Sequence, residues 1–343
     1  MIDPTLAPFE PVALSFGETL AKFFTPSALA GILVDGLSKA AIYVMIAGGL
    51  TLIFGLLGVL NFAHGSFTMI GAYVGGVVVV LLVSGGTGGP LRIAAFFLAL
   101  LVGFAVLALL GGAVEVGLIR QLYDRPPIYQ ILLTFGLTLV LDEAVRIVLG
   151  LYGMQPMSDW QEALGTKPEV LSRAVSIGPL SVRGLAFFEI FMGLVTVAGI
   201  WAFLTRTRYG LYIRAGSEDA EMAQALGIDV RQVFTVVFAL GAGIAGVAGV
   251  LLMWDQVWGA SVPLSAETLL PAFVVVIIGG LGTFRGTVVA ALVVGLTDAV
   301  MTWWFVNEIA FTGLPEITIF LILVITLIVK PQGLYGVEEV GGH

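Results

Sequence analysis

The sequence has no cysteine and only two histidines, one of which is the last residue, His343. Without thiols the chain has no disulfide, no thiolate metal site and no cysteine nucleophile, and a zinc motif of the H-E-x-x-H kind is absent. No Gly-Lys dipeptide occurs, so there is no phosphate-binding P-loop. We therefore expect no enzyme: no catalytic residue, no metal site and no cofactor bound by this chain.

Charge is also scarce. Only 11% of the 343 residues are charged, against about 25% in a typical soluble domain. Hydrophobic residues make up 59%, and the mean hydropathy is +1.06. A soluble fold of this length cannot bury so much apolar surface, so the excess must face lipid. This excludes a soluble enzyme, a nucleic-acid binder and a disordered chain.

Nine apolar stretches are bounded by charges, Pro or Gly clusters, which predicts a single all-α polytopic membrane domain over residues 1–343. The seventh stretch has 13 residues and spans about 20 Å, too short for a hydrocarbon core of about 30 Å. Either this stretch is a half-helix, or residues 269–304 form one helical unit that is broken in the middle. We expect about 8–9 transmembrane helices, some broken at Gly-rich points. The stretches are 35–58, 62–83, 91–119, 128–149, 185–204, 230–252, 269–281, 286–304 and 314–329.

The loops suggest an orientation. Arginines in short loops mark the cytoplasmic side, and here they cluster after the third and fifth stretches. With nine crossings this puts the N-terminus outside and the C-terminus in the cytoplasm. The loop 150–184 is then extracytoplasmic, with a small hairpin at "AVSIG" and "LSVRG", and 205–230 is the main cytoplasmic loop. Residues 1–28 form an acid-rich extension without an assigned role.

The cytoplasmic loop contains a short helix signal, "SEDAEMAQALGI". It combines a capping serine, carboxylates in the first turn, an apolar stripe and a glycine stop. An isolated helix of two turns is marginal, so the stripe needs a partner: lipid headgroups, this protein or another subunit. The capping serine is Ser217, and the carboxylates are Glu218, Asp219 and Glu221. The apolar stripe consists of Met222, Ala223 and Leu226, and the glycine stop is Gly227.

Polar residues interrupt the apolar run "GLLGVLNFAHGSFTMIGAYVGG" at Asn61, His64 and Ser66. A polar cluster inside a membrane segment indicates a function, and broken helices expose backbone groups to a substrate path. The alternative is a plain turn between two helices, with His64 as a cap.

Glycine is frequent, at 45 of 343 residues. The segment 239–250 has a dense small-residue face, typical of close helix packing, with lining of a polar path as the alternative. A second Gly-interrupted segment, 276–292, contributes Gly279, Gly280 and Gly282 as path candidates.

The fourth stretch contains three charges, Asp142, Glu143 and Arg146. Their spacing of three and four residues favours a local structural pairing over a substrate site. Glu115 and Asp298 are two further acids within apolar stretches, and two scattered carboxylates do not by themselves indicate a proton relay.

At these segments the sequence resembles the permeases of branched-chain amino acid ABC importers, specifically the H-type subunit, with amide and urea permeases as relatives. The resemblance runs in order from about residue 30 to 336. It rests on "GLTLIFGLLGVLNFAHGSFTMIGAYVG" (49–75), "YQILLTFGLTLVLDEAVRIVLG" (129–150), "GLYIRAGSEDAEMAQALGIDV" (210–230), "PAFVVVIIGGLGTFRGTVVAALVVGL" (271–296) and "KPQGLYG" (330–336).

The resemblance implies a multi-pass subunit of the bacterial inner membrane. It implies a second homologous permease, two cytoplasmic ATPase subunits that use ATP and Mg, and an external substrate-binding protein. Lipid surrounds the chain, and no nucleic acid is involved. The segment 210–230 matches the family's coupling helix, which docks on the ATPase, and this favours another subunit as the partner of the apolar stripe.

Two other functions fit the composition. An ion-coupled secondary transporter would not need the capped helix of the cytoplasmic loop. A small-solute channel of aquaporin type would carry two Asn-Pro-Ala elements, and the sequence has none.

Overall fold

The structure is a computed structural model that describes residues 16–58, 60–83, 87–151, 168–177, 180–254, 259–308 and 314–336. Within these ranges the regular secondary structure is helical except for one two-stranded hairpin. The helices are α1 Phe16–Phe23, α2 Pro26–Leu57, α3 His64–Leu82, α4 Gly89–Gly117, α5 Pro127–Leu151, α6 Glu169–Ser172, α7 Gly184–Arg206, α8 Arg208–Glu218, α9 Ala220–Ala225, α10 Val230–Leu252, α11 Leu264–Gly279, α12 Phe284–Met301 and α13 Leu314–Val329. A 3₁₀ turn, Ile119–Leu122, follows α4, and a π-helix, Thr302–Glu308, follows α12.

The apolar pattern predicted these elements well, and an all-α polytopic membrane fold is confirmed. Six described helices are long and apolar enough to cross a membrane. The seventh stretch is indeed short: α11 has 16 residues, about 24 Å long, and contains Pro271. Its start is earlier than expected, at Leu264. The first long helix also begins earlier than the predicted start at residue 35, since α2 starts at Pro26 after the capping residue Thr25.

The core of the bundle consists of α2, α3, α4 and α10, which pack along their small residues. A Cβ on Gly241 would meet the carbonyl oxygen of Gly49 at 2.8 Å, and one on Gly246 would meet that of Gly103 at 2.9 Å. Gly249 faces the backbone of Thr68 even more closely. The glycines of 239–250 therefore serve close helix packing, which in lipid depends on van der Waals contact between backbones.

The bundle has two distinct ends. At the hairpin end, β1 (Ala174–Ile177) pairs antiparallel with β2 (Leu180–Arg183), as predicted for the loop 150–184. Arg183 donates to Asp35 at 3.0 Å and thereby ties the hairpin to α2.

The opposite end is named here the elbow end, after the turn 279–284 between α11 and α12. Helices α8 and α9 lie there, where Gly216 contacts Leu56 near the end of α2. The tail that follows α13 returns to the same turn, since Leu334 and Tyr335 donate to the carbonyls of Ile278 and Gly279 at 2.7 and 3.0 Å.

Candidate functional site

Two helices begin inside the bundle and meet at their first turns. His64, the first residue of α3, contacts the carbonyl of Ile46 through Nε2 at 2.9 Å. Because Ile46 lies 11 residues before the end of α2, α3 begins roughly 17 Å into the bundle from the elbow end. A Cβ on Gly65 would collide with the backbone of Ser265 in the first turn of α11. The end of the break 58–63, at Asn61, Ala63 and His64, is therefore buried within the bundle, whereas Gly58 at its start is exposed.

A hydrogen-bonded cluster lies at this meeting point. The Ser66 hydroxyl donates to the Asp142 carboxylate at 2.6 Å, and its oxygen lies 3.1 Å from the hydroxyl of Ser265. Ser66 and Ser265 are buried, whereas Asp142 is partly exposed. Both helix starts present the positive end of the helix dipole, which stabilises a carboxylate at this position. We call Ser66, Asp142 and Ser265 the junction cluster.

Asp142 is the member of the junction cluster for which the sequence predicted a different partner. We expected it to pair locally with Arg146, but Arg146 pairs with Glu143 at 3.4 Å, and both of those side chains are exposed. In the described part of the chain, no basic side chain lies within 4.0 Å of Asp142. Spacing along α5 could not show this, because the partner Ser66 is 76 residues away.

The predicted path residues Asn61 and His64 adjoin the cluster and are fully buried. The Asn61 side-chain oxygen accepts from the Ala63 backbone at 3.1 Å and so stabilises the break. Asn61 Nδ2 and His64 Nδ1 have no hydrogen-bond partner among the described residues. Buried polar atoms without partners are costly and rare in folded chains, so Asn61 and His64 stay candidates for the path.

An aromatic layer lies on the elbow side of the junction cluster. Phe62, in the break, contacts Phe135 of α5 and Phe273 of α11, with ring centroids 6.2 and 5.0 Å apart. Phe135 precedes Asp142 by seven residues and Phe273 follows Ser265 by eight, so the layer is roughly 11 Å from the cluster.

An apolar cavity of about 400 Å³, open at the surface of the bundle, lies on the other side, between α3, α4 and α5. Its lining is aliphatic except for Tyr73, and it includes Ile70 and Val145. Ile70 follows Ser66 by four residues and Val145 follows Asp142 by three. Since residues at these spacings are about one turn apart, the cavity begins next to the junction cluster.

The glycine candidates of the second interrupted segment are elsewhere. Gly279 lies 14 residues beyond Ser265, roughly 21 Å away along α11. A Cβ on Gly279 would meet the backbone of Gly286 at 2.5 Å, one on Gly280 the backbone of Gly336 at 2.5 Å, and one on Gly282 the backbone of Gly55 at 3.1 Å. These three glycines pack the elbow and the tail, and the structure does not place them beside Asn61, His64 and Ser66.

The proposed coupling helix differs from the sequence prediction at its start. Ser217 and Glu218 are the last residues of α8, and the Ser217 hydroxyl donates back to the carbonyl of Arg214 at 3.0 Å. The N-cap is instead Asp219, whose carboxylate accepts from the Met222 backbone at 2.8 Å. Glu221 is in the first turn as predicted. The glycine stop is confirmed, since Gly227 has a φ of 84°.

The predicted apolar stripe is divided between two environments. Ala223 is buried, with 2% exposure, because α9 packs this side against α8 and α10. Met222 and Leu226 are 57% and 77% exposed. Ala223 is therefore part of the internal packing of this chain, and only Met222 and Leu226 are free to meet another surface.

The remaining buried acids have structural partners. Glu115 is fully buried and receives two hydrogen bonds from Arg120 and one each from Tyr123 and Thr235. Burial and the bond to Glu115 raise the pKa of Tyr123. Asp298 accepts from Tyr43 at 3.0 Å and pairs with Lys39 at 3.2 Å.

Sequence reasoning did not single out Glu189, which is buried and accepts a hydrogen bond from Ser38. It also missed Ser265. The signal for Glu189 was available, since a carboxylate within an apolar stretch is unusual.

Helices that begin inside an apolar bundle, around polar side chains, occur in membrane transporters. The profile of the family described as branched-chain amino acid transport system / permease component matches residues 32–329. The chain therefore belongs to this permease family.

Several relatives match over nearly the whole chain. The high-affinity branched-chain amino acid transport system permease protein BraD of Pseudomonas aeruginosa is 28% identical over 315 residues, which cover 90% of this chain and 96% of BraD. The corresponding permease protein LivH of Escherichia coli K12 is 27% identical over 310 residues, or 89% and 95% of the two chains. A probable LivH of Methanocaldococcus jannaschii is 26% identical, with 90% and 92% covered.

Among solved structures, PsaBC from Streptococcus pneumoniae in complex with Fab aligns with a TM-score of 0.49 and 14% identity, covering 93% of this chain and 98% of that chain.

Proposed function

We propose that this chain is the permease subunit of an ATP-binding-cassette importer and translocates branched-chain or related small amino acids. The family match over 32–329 supports the class of transporter. The observation that carries the proposal is the junction cluster, in which two helices begin inside the bundle around a partly exposed carboxylate. Polar groups inside a membrane bundle are costly and are kept where a solute passes.

The energy and the substrate come from partners in this proposal. The chain has no P-loop, so two cytoplasmic ATPase subunits hydrolyse ATP with Mg, and an external binding protein delivers the amino acid. A second homologous permease completes the path. The exposed apolar side of α5, next to the partly exposed Asp142, is available for that contact.

Coupling to the ATPase is assigned to the elbow end. There the exposed Met222 and Leu226 of the α9 segment are displayed by helices that pack on α2, α7 and α10. Movement of α9 is thereby transmitted to the helices of the bundle. The alternative is that these two side chains rest in lipid headgroups.

The charges support a cytoplasmic elbow end. Among the described residues, eight Lys and Arg residues lie at this end, five of them clustered just after α4 and around α8. Lys and Arg in short loops mark the cytoplasmic side of a membrane protein. The eight are Arg120, Arg125, Arg206, Arg208, Arg214, Arg231, Arg285 and Lys330.

The test is uptake of labelled L-leucine into proteoliposomes that contain the permease pair, the ATPase subunits and the loaded binding protein. We expect uptake that requires ATP and both ATPase subunits. Uptake that persists without the ATPases and follows a proton or sodium gradient would establish a secondary transporter instead. Uptake that needs no energy source would establish a channel.

A further inference from the structure

Asp142 places a carboxylate in an apolar bundle. In the part of the chain that the structure describes, it receives one side-chain hydrogen bond, from Ser66, and no basic side chain lies within 4.0 Å. A carboxylate has about four lone-pair sites, so the described residues take up only a small part of its accepting capacity. Asp142 is partly exposed, so its side chain is not sealed within the bundle.

The cavity next to Asp142 suits hydrocarbon. Ten of its eleven lining residues are aliphatic, with Tyr73 the exception, and its volume is about 400 Å³. Leu141 and Val145 line it from α5, on both sides of Asp142 along the chain, and Ile70 lines it from α3. A solute with a cationic head at Asp142 therefore has an apolar space within one helical turn for its side chain.

We infer that the Asp142 carboxylate, oriented by Ser66, receives the ammonium group of a primary amine whose aliphatic side chain enters this cavity. The inference rests on the proposed transport function, to which it adds the residue that favours an amino acid over a neutral amide or urea. A charged amine both hydrogen-bonds the carboxylate and neutralises it inside the bundle, whereas an amide only hydrogen-bonds.

The chain offers a matched control on the next residue. Asp142→Asn and Glu143→Gln each remove one carboxylate from α5, but only Asp142 contacts Ser66, while Glu143 pairs with Arg146 at the surface. In the full transporter, with saturating loaded binding protein, Asp142→Asn should lower ATP-driven L-leucine uptake about tenfold or more, as expected for a lost charged hydrogen bond. Glu143→Gln should stay within about twofold.

A variant that partly fills the cavity tests whether the aliphatic side chain of the solute enters it. Val145→Phe fills part of the space beside Asp142 without changing any charge. The KM for L-leucine should rise more than the KM for L-alanine, because only the larger side chain needs the filled volume. Equal changes for both amino acids would contradict a side-chain pocket here.

The outcomes separate this inference from the proposed function. If the wild-type transporter moves urea or acetamide but not L-leucine, the amino-acid function fails. If it moves L-leucine and Asp142→Asn moves it equally well, the function stands and the role of Asp142 is overturned. Should Asp142→Asn fail to assemble, Ser66→Ala and Val145→Phe decide: normal L-leucine uptake in both overturns the inference, and reduced uptake in both supports it.

Discussion

The backbone N–H of Leu334 donates to the carbonyl of Ile278 at 2.7 Å and joins the tail after α13 to the end of α11. The neighbouring Gly333 and Gly280 both have positive φ, 79° and 98°, and their backbones are in contact. Two glycine-containing motifs that are about 50 residues apart thus form one folded unit at the elbow. The close backbone packing in this unit is sufficient to account for the glycines at the elbow.

Gly333→Ala should destabilise the protein. Its φ of 79° costs a residue with a Cβ about 1–2 kcal/mol, and the new atom would lie 2.5 Å from the Ile277 oxygen. Gly199→Ala is the control, because it lies within α7 and nothing is within 4 Å of its added Cβ. That change should stabilise the helix by about 0.5–1 kcal/mol. Thermal unfolding in detergent measures both, and a loss of the same size in both variants would contradict the packed elbow.

Arg120→Met should lower the stability strongly, because it leaves Glu115 buried without its cation. Loss of one partner of a buried pair costs about 3–5 kcal/mol. The comparison is Arg146→Met, whose partner Glu143 is exposed, where about 0–1 kcal/mol is expected. Unfolding midpoints of the two variants, recorded at equal lipid and detergent content, give the difference. Equal midpoints would show that Glu115 is held by Tyr123 and Thr235 alone.

Leu226→Glu should weaken association with the ATPase subunits while the permease still folds, because Leu226 is 77% exposed in this chain. Gln224→Glu adds the same charge two residues earlier, in the last turn of α9, without removing an apolar side chain, and it should have little effect. Co-purification of the ATPase subunits with the tagged permease reports the contact. Normal recovery with Leu226→Glu would favour a segment that rests on headgroups.

Ala223→Glu tests the packing of α9 separately. Because Ala223 is buried against α8 and α10, a glutamate there should unfold this segment and make 208–229 sensitive to protease before any ATPase is added. Limited proteolysis of the isolated permease measures this. A cleavage pattern identical to the wild type would show that Ala223 faces outward.

Single cysteines at Ser172 and Ser217 test the orientation in this cysteine-free chain, since both side chains are exposed. Ser172 is at the hairpin end and Ser217 at the elbow end. An impermeant thiol reagent added to intact cells should label Ser172→Cys and spare Ser217→Cys until the membrane is opened. The reverse pattern would place the elbow end outside.

The sequence by itself determined the class of protein and nearly all helix positions. Long apolar runs have only one stable state in lipid, a hydrogen-bonded helix, so most of their bounds follow from composition within a few residues. The exceptions are α2 and α11, which begin nine and five residues before the predicted stretches. The same reasoning gave the short α11 and the hairpin at 174–183. Gly227 as a helix stop was also predictable, because a positive φ favours glycine locally.

Only the tertiary structure decided which residues meet. Ser66, Asp142 and Ser265 are far apart in sequence, and no local spacing links them. On α5 alone, Asp142 could pair with Arg146 as easily as Glu143 does, so the choice was made by the arrival of α3. For Ala223, the stripe at helical spacing gave the right side of the helix but not its partner. Ala223 packs against neighbouring helices of the same chain, and the hydrophobic periodicity of one helix carries no information about such long-range contacts.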